Sequence, residues 1–419
     1  MQTDLAPEYQ CMPEGRQAEA ILRKCVHCGF CTATCPTYQL LGDELDGPRG
    51  RIYLIKQVLE GAQPTAVTQQ HLDRCLTCRN CETTCPSGVQ YGALVDIGRR
   101  LVDAKVPRPA VERAQRAVLR AGLTSAMFAP ALRLGQTLRP LLPAALRNKV
   151  PAPAPAGAWP TGRHARKVLM LAGCVQPAMM PGINAATARV LDAAGIETVV
   201  ADGAGCCGAI RLHLSDHDGG LDDMRRNIDA WWPWVERGEI EAIVMNASGC
   251  GVTVKEYGAA LEGDAAYADK ARAISALTRD LSELLPDLLP ALRGRIGRVA
   301  GTVAFHPPCT LQHGQQLRGG VEAALRELGF DVVHAAGEAH LCCGSAGTYS
   351  VLQPELAYRL RDRKLAHLDA AQPAVIASAN IGCIQHLQSG TATPVRHWIE
   401  LVEDALQAAA APAGPRDAD

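Results

Sequence analysis

The sequence predicts an α+β protein in which a helical N-terminal domain precedes two βαβ-type cysteine-rich repeats with parallel strands. Two observations indicate the N-terminal domain: cysteine runs of identical C-x2-C-x2-C-x3-C-P spacing stand at 25–36 and 75–86, and the residues between and after them have helical spacing. A third observation indicates the repeats. From residue 166 onwards, short apolar segments alternate with longer helical ones, which is the pattern of βαβ units and a parallel sheet.

The two cysteine runs predict two [4Fe-4S] clusters. In this ferredoxin-type pattern, three closely spaced thiolates bind one cluster, and the fourth cysteine, which precedes the proline, ligates the other. The predicted ligands of one cluster are Cys25, Cys28, Cys31 and Cys85, and those of the other are Cys35, Cys75, Cys78 and Cys81. Disulfides would need an oxidising compartment, and structural zinc gives no reason for two identical runs that end in proline.

Helical segments surround the cysteine runs. A turn at 46–51 precedes an amphipathic segment at 52–59, and residues 91–101 again have helical spacing. We therefore expect residues 15–105 to form a helical, ferredoxin-like domain that holds both [4Fe-4S] clusters.

A helical connector and a Pro/Ala linker are predicted for residues 106–165. Arginines and apolar residues recur from Arg108 to Arg147, and the alternating Pro-Ala stretch at 151–160 is typical of a semi-rigid linker. The helical zone has two interpretations: a helix pair packed on the protein and broken by prolines, or an amphipathic segment on a membrane surface. The packed pair is favoured, because a membrane-surface helix requires a strong separation of its apolar and charged faces.

The two repeats are expected at 166–292 and 293–410, with three buried strands in each. The predicted strands are 167–171, 197–201 and 242–246 in the first repeat, and 301–305, 331–335 and 374–378 in the second. Cysteines follow every strand, namely Cys174, Cys206, Cys207 and Cys250, and then Cys309, Cys342, Cys343 and Cys383. Ligands bind beyond the carboxyl ends of parallel strands, so each set of four is expected to converge on one point.

The chemistry of these eight cysteines stays open at this stage. Simple burial of apolar thiols is disfavoured, since packing gives no reason for an adjacent Cys-Cys pair beside glycine to occur twice. A further iron-sulfur cluster, a zinc ion or a redox-active thiol pair each fits. His386, three residues after Cys383, is a candidate additional ligand, although a position on a helix surface is favoured for it.

Composition indicates an intracellular redox protein. The chain has 419 residues, 17 cysteines and a formal net charge of −1, and a balanced charge gives no sign of nucleic-acid binding. The first ten residues carry Asp4 and Glu8 and lack the apolar core of a signal peptide. No run of about 20 uncharged apolar residues is present either. The expected location is the cytoplasm, where thiols stay reduced and available to metal.

Longer phrases in the C-terminal half resemble a known family. They are HPPCTLQHG at 306–314, LCCGSAGTYS at 341–350, SANIGCIQH at 378–386 and PVRHWIE at 394–400. With the twin cysteine runs and the Cys-Cys-Gly repeats, they resemble the iron-sulfur subunits of bacterial glycolate oxidase, within the larger group that serves flavin dehydrogenases and heterodisulfide reductases. The resemblance covers essentially the whole chain and is weakest over residues 106–165.

This resemblance implies a subunit that is inactive alone and that carries electrons from a partner's flavin towards quinone. The implied partners are an FAD-containing glycolate oxidase subunit, which oxidises glycolate to glyoxylate, and a further flavin-type subunit. FAD is expected only in a partner, because no Gly-x-Gly-x-x-Gly fingerprint follows a strand of this chain. The implied location is peripheral, on the cytoplasmic face of the inner membrane.

Alternative functions within the same group are the equivalent subunit of a D-lactate or glycerol 3-phosphate dehydrogenase, and a heterodisulfide or thiol reductase subunit. Heterodisulfide-reductase repeats usually end in Cys-x-x-Cys. Here the corresponding phrases are Cys250-Gly-Val-Thr253 and Cys383-Ile-Gln-His386, so a site with five thiolates is not expected and disulfide-reducing chemistry loses support.

Overall fold

The computed structural model describes residues 1–141, 143, 150–296 and 299–410. The predicted fold class is confirmed: helices and two four-stranded parallel sheets follow an N-terminal domain built of helices. Residues 142 and 144–147 of the predicted helical zone, and residues 297 and 298 of the second predicted repeat, lie outside the described residues.

The N-terminal domain consists of helices that pack around one buried core. Their bounds are Pro7–Gln10, Pro13–Lys24, Phe30–Ala33, Pro36–Leu41, Pro48–Leu59, Ala66–Asp73, Asn80–Thr84 and Tyr91–Lys105, with a 3-10 turn at Glu44–Asp46. Four of them begin at proline, whose fixed φ suits the first helical position. Gly98 lets two long helices approach closely, because a Cβ there would lie 2.5 Å from Cγ1 of Ile55.

The connector forms two helices, Ala110–Thr124 and Phe128–Leu138, and a 3-10 turn at Arg139–Leu141. The first helix contacts Ala209–His213 and the second contacts Gln176–Met179. Among the side chains of both connector helices, Arg116 alone is buried. The predicted packed helix pair is therefore packed on one side only.

Two sheets of the same topology follow. Their strands are β1 (Arg166–Met170), β2 (Ile196–Val199), β3 (Ala242–Met245) and β4 (Thr278–Asp280), then β5 (Thr302–His306), β6 (Asp331–Val333), β7 (Val375–Ser378) and β8 (Val395–His397). All pair in parallel, in the orders β2-β1-β3-β4 and β6-β5-β7-β8. The six predicted strands are present, and β4 and β8 are additional edge strands of three residues each.

Helices cover both sheets and join them through a common core. In the first repeat they are Gln176–Met179, Pro181–Ala193, Ala209–His213, His217–Glu236, Ser248–Lys255, Tyr257–Ala260, Ala268–Leu277, Leu281–Leu284 (3-10) and Leu285–Leu292. In the second they are Thr310–Gly314 (π), Gly320–Glu327, Tyr349–Leu352, Pro354–Leu368, Asp369–Ala371 (3-10), Ile381–Gln388 and Trp398–Ala410. The last helix packs on Pro181–Ala193 of the first repeat, and the two repeats share one buried hydrophobic cluster.

The N-terminal domain lies against the cysteine-bearing loops of the repeats. Arg79 forms an ion pair with Glu256, and the Asn80 side-chain amide donates to the His340 carbonyl over 3.2 Å. The Tyr349 hydroxyl donates to the Arg74 carbonyl over 3.0 Å. Within the described ranges, none of the helices is both long and apolar enough to cross a membrane.

Candidate metal centres

Each repeat brings four cysteines to the carboxyl end of its sheet. In the strand order β2-β1-β3-β4, the chain leaves β1 and β3 in opposite directions, and this reversal opens a crevice in doubly wound folds. Cys174 follows β1, Cys206 and Cys207 follow β2, and Cys250 stands in the first turn of the helix after β3. The second repeat places Cys309, Cys342, Cys343 and Cys383 in the same way.

The Cys-Cys-Gly sequence has the same local geometry in both repeats. The Gly208 N–H donates to Sγ of Cys206 and the Gly344 N–H donates to Sγ of Cys342, each over 3.4 Å. Both glycines have positive φ, +95° and +92°. A Cβ at Gly344 would also lie 2.4 Å from the Ala357 carbonyl oxygen. Glycine is required here both by the backbone conformation and by the closeness of the following helix.

Sulfur–sulfur contacts link the four cysteines of each set. In the second repeat, Sγ of Cys309 and Sγ of Cys342 are 3.8 Å apart. Donation to Cys342 and burial together raise the pKa of the Cys309 thiol. In the first repeat, hydrogen bonds from the Cys174 and Cys207 thiols lower the pKa of Cys206, which makes its sulfur the preferred location of a negative charge.

These sets fit a metal ion or a redox-active thiol pair. Four thiolates around one tetrahedral ion with metal–sulfur distances of about 2.3 Å would be about 3.8 Å apart, and the Cys309–Cys342 distance matches that edge. His386 is not among the ligand candidates. The prediction that it lies on a helix surface is wrong: it is buried, its Nε2 lies 3.1 Å from the Ala357 carbonyl, and its ring stacks on Tyr358.

The N-terminal cysteines fall into two groups, and one group lines a small cavity of about 30 Å³. The cavity is lined by Cys25, Cys28, Cys31, Cys81 and Cys85, together with the apolar side chains of Val26, Phe30, Ile52 and Val89. Burial and the neighbouring Cys25 raise the pKa of the Cys31 thiol to about 11. Cys28 is exposed, so this group reaches the molecular surface.

The other group lies deeper. Burial raises the pKa of the Cys81 thiol well above its usual value, and the thiolates of Cys78, Cys75 and Cys35 raise it further. Cys35, Cys75 and Cys81 are buried and Cys78 is half-buried. Four thiols therefore lie within electrostatic reach of one another, three of them from the second run and one from the first.

The loops within the two runs have matching backbone conformations. His27 and Thr77 have φ of +56° and +52°, and Gly29 and Arg79 have φ of +85° and +58°. Non-glycine residues adopt this left-handed region at a cost, and such strain concentrates at functional sites. Successive N–H groups in such loops can form a concave anion-binding nest, and the Thr77 N–H donates to Sγ of Cys75 over 3.4 Å. Donor set and backbone thus fit an anionic iron-sulfur cluster in each run.

A buried ion network ties the two runs together. Oδ1 of Asp46 lies 3.4 Å from Nη2 of Arg51 and 3.0 Å from Nδ1 of His71, and Oδ2 lies 2.8 Å from Nη1 of Arg74. Asp46 and Arg51 are almost completely buried. Sγ of Cys35 lies 3.8 Å from the Asp46 carbonyl, and Arg74 precedes Cys75.

The turn interpretation of residues 46–51 missed this network. One signal could have revealed it: Arg51 stands four and eight residues before Ile55 and Leu59, on the buried stripe of its helix. A charged residue in such a position indicates a buried partner.

The deeper N-terminal group adjoins the second repeat. Burial is the main cause that raises the pKa of the Cys78 thiol, and the thiolate of Cys309 raises it further. Leu76, Cys309, Cys342 and Tyr349 belong to one buried cluster, against which Cys78 packs. Lys364 is buried beside the same thiols, and its Nζ donates to the Glu338 carbonyl over 2.5 Å.

Comparisons with known proteins agree with this arrangement. Residues 21–89 match the 4Fe-4S dicluster domain, and residues 168–255 and 303–388 each match the Cysteine-rich domain. The chain is 56% identical to the glycolate oxidase iron-sulfur subunit of Escherichia coli over 416 residues, covering 97% of this chain and 100% of that protein. It belongs to the family of glycolate oxidase iron-sulfur subunits. Members of this family are iron-sulfur proteins with an electron-transfer role in an oxidoreductase.

Two more distant relatives cover most of the chain. The probable glycolate oxidase iron-sulfur subunit of Bacillus subtilis is 28% identical over 404 residues, which is 90% of each chain. A fumarate reductase (CoM/CoB) subunit of Methanothermobacter marburgensis is 25% identical over 362 residues, which is 84% of this chain and 64% of that protein. Similarity over most of the chain thus extends to a protein that is named for a different oxidoreductase.

We expect Asp46→Asn to lower the free energy of unfolding by about 3 kcal/mol or more, because it leaves the buried Arg51 without its anionic partner. Asp218→Asn is the control. Asp218 is fully exposed, and its ion-pair partner, His217, is 3.9 Å away. Urea unfolding of anaerobically purified protein measures both. Equal losses in the two variants would show that the network does not stabilise the domain.

Gly344→Ala should destabilise the second repeat more than Gly319→Ala does. Both positions have positive φ, which costs alanine about 1–2 kcal/mol. A Cβ at Gly319 would have no neighbouring atom within 4 Å, whereas a Cβ at Gly344 would meet the Ala357 carbonyl oxygen. Thermal unfolding midpoints of the two variants give the comparison, and a midpoint for Gly344→Ala as high as that of the control would contradict the close-approach argument.

Proposed function

We propose that this chain is the electron-transfer subunit of a membrane-associated flavoenzyme that oxidises glycolate to glyoxylate and delivers the electrons towards quinone. Its proposed partners are an FAD-containing glycolate oxidase subunit and a further flavin-type subunit. The observation that carries the proposal is the contiguity of the cysteine sites. One N-terminal group reaches the surface at Cys28, and the other adjoins Cys309 in the second repeat.

The proposed ligand sets follow the grouping of the thiols. Cys25, Cys28, Cys31 and Cys85 would hold one [4Fe-4S] cluster, and Cys35, Cys75, Cys78 and Cys81 the other. When bound, such clusters accept and donate single electrons, which lets them follow a flavin that divides a two-electron oxidation into single steps. The chain's own contribution is to hold eight thiolates in two adjacent groups and to donate backbone N–H groups to sulfur.

The surroundings of the two groups suit different tasks. Beside the exposed Cys28, the apolar side chains of Val26 and Phe30 are 67% and 61% exposed. This is the face at which we place exchange with a redox partner. The deeper group is shielded by Leu76 and Tyr349, which keep water away from the path towards the second repeat.

The relatives support glycolate as the substrate of the complex. The relative with 56% identity is named for glycolate oxidase. Lactate utilization protein A of Geobacillus thermodenitrificans, at 24% identity over 53% of this chain, is named for another 2-hydroxy acid. Substrate contacts would be made by the flavin partner, so the substrate is decided by an assay of the complex.

Iron content tests the ligand sets. Anaerobically purified wild-type chain should hold about eight iron atoms in its N-terminal domain, four for each cluster. Cys28→Ser and Cys78→Ser should each lower the iron content by about four atoms per chain and the sulfide content by about the same number. Cys11→Ser is the matched control, because Cys11 is exposed and lies outside both runs.

Unchanged iron in Cys28→Ser or Cys78→Ser would contradict the proposed ligand sets. If the wild-type chain holds clearly more than eight iron atoms and Cys343→Ser lowers that number, the excess iron is assigned to the second repeat. Low-temperature EPR of the reduced proteins identifies the cluster type in each case.

Reconstitution tests the function. The chain alone should not oxidise glycolate, and mixing it with its flavin subunits should restore quinone reduction by glycolate. Cys78→Ser should leave reduction of the flavin by glycolate intact while quinone reduction falls to background. Glycolate oxidation by the isolated chain would contradict the electron-transfer role, and a preference of the complex for D-lactate or glycerol 3-phosphate would reassign the substrate.

A further inference from the structure

The connector carries an apolar surface that the rest of the chain does not cover. Six of the fourteen exposed large hydrophobic side chains of the described residues lie between 111 and 141. They are Val111, Val118, Met127, Leu134, Leu138 and Leu141, exposed by 81%, 70%, 66%, 61%, 43% and 81%. Such concentration differs from the scattered exposure that is normal for a protein surface.

These residues follow the helical repeat and form two outward stripes. On the first connector helix, Val111, Ala114, Val118 and Ala121 are exposed at intervals of three and four residues. From the second helix onwards, Met127, Ala131, Leu134, Leu138 and Leu141 continue the same spacing. The opposite sides, with Leu119 and Leu132 half-buried, face the protein. Each helix therefore has an apolar face with no partner among the described residues.

The charge of this region is strongly one-sided. No Asp or Glu stands between Glu112 and Asp192, although the chain has 43 acidic residues in 419, so about eight would be expected in such a stretch. Basic residues are retained there, and between 113 and 150 they are Arg113, Arg116, Arg120, Arg133, Arg139, Arg147 and Lys149. The net charge of the whole chain is −1, so the connector is a local cationic region on a nearly neutral protein.

Two of these cations remain available to an external anion. Within the part of the chain that the structure describes, the arginines of 113–141 that pair with carboxylates are Arg116 and Arg120. Arg113 and Arg133 are exposed and flank the apolar stripes. Arg139 is half-buried, and its Nε donates to the Val150 carbonyl.

We propose that residues 110–141 form a lipid-binding surface that docks this chain on an anionic membrane. Aliphatic stripes bordered by arginine are the pattern of helices that lie in the membrane interface, where apolar burial and attraction to anionic headgroups add. A protein partner is the weaker match, because residues 113–191 contain arginines but no Asp or Glu, and this one-sided charge suits a surface of anionic headgroups. The inference deepens the proposed function, in which the electron acceptor is a quinone held in the membrane.

Vesicle binding by the whole, cluster-loaded chain tests the proposal. We expect the chain to co-float with vesicles of phosphatidylcholine and phosphatidylglycerol in equal parts, to bind phosphatidylcholine vesicles weakly, and to be released by salt. Leu134→Gln with Leu138→Gln should weaken binding about tenfold or more. The matched control is Val67→Gln with Val351→Gln, since these side chains are 57% and 49% exposed elsewhere on the surface.

A second variant pair protects the test against misfolding. Arg113→Gln with Arg133→Gln leaves the apolar faces intact and should lower binding to the anionic vesicles while binding to phosphatidylcholine stays unchanged. Arg23→Gln with Arg237→Gln, at exposed arginines outside the connector, is its control. Iron content of every variant should equal that of the wild type.

Several outcomes would overturn the proposal. One is that the wild-type chain binds neither kind of vesicle. Another is that the control variants weaken vesicle binding as much as the connector variants do. A third is that the connector variants lose affinity for the flavin subunits while their vesicle binding is unchanged, which would make the surface a protein interface. Dye reduction in solution by the complex distinguishes a failure of the proposed lipid-binding surface from a failure of the proposed function. A chain that supports dye reduction but ignores vesicles refutes the surface alone, and one that binds vesicles without supporting electron transfer refutes the function alone.

Discussion

The carboxylate of Asp46 is the point on which the N-terminal domain depends. Its two oxygens bind Arg51, His71 and Arg74, which belong to one helix, a second helix and the residue before Cys75. The carbonyl of the same residue lies beside Cys35. Removing either ion from such a buried network leaves the other without compensation. The segment between the two cysteine runs thus fixes the fourth cysteine of the first run against the start of the second, a juxtaposition that the proposed cross-ligation requires.

The duplicated repeats share a fold but offer their cysteines different environments. In the first repeat, the neutral side chains of Asn227 and Tyr257 bond the carbonyls of Cys206 and Cys207 over 2.7 and 2.9 Å. In the second, burial lowers the pKa of Lys364, and the thiolates of the paired cysteines counteract that shift. A cation close to sulfur stabilises thiolate and any anionic group that thiolates bind. The second repeat is also the one that adjoins Cys78, so duplication has produced one cysteine site that is integrated with the N-terminal domain and one that lies beside the buried Asp223.

The sequence predicts the structural features that recur along the chain, and it does not reveal the features that depend on individual contacts. The paired runs and the strand–cysteine alternation are periodic, so they predict helices, parallel strands and the location of all sixteen repeated cysteines. Strands β4 and β8 were not predicted, because their sequences, Thr-Arg-Asp and Val-Arg-His, contain no apolar run. Their positions are set by pairing with β3 and β7. Asp46 and His386 escaped for a related reason. Their burial depends on partners distant in sequence, which local spacing cannot identify.

Charge is distributed so that the connector differs from the domain that precedes it. Arg108 bonds Asp73 and Asp103, and Arg116 also reaches Asp73. These pairs attach the start of the connector to the helix that leads to Cys75, and the acid-free stretch begins directly after Glu112. Arg108 and Arg116 are neutralised within the fold, whereas Arg113 and Arg133 are exposed beside the apolar stripes. A surface that is both cationic and apolar suits an anionic membrane interface, where apolar burial and attraction to the headgroups add. The ion pairs of Arg108 and Arg116 with Asp73 and Asp103 therefore fix the orientation in which the connector presents that surface.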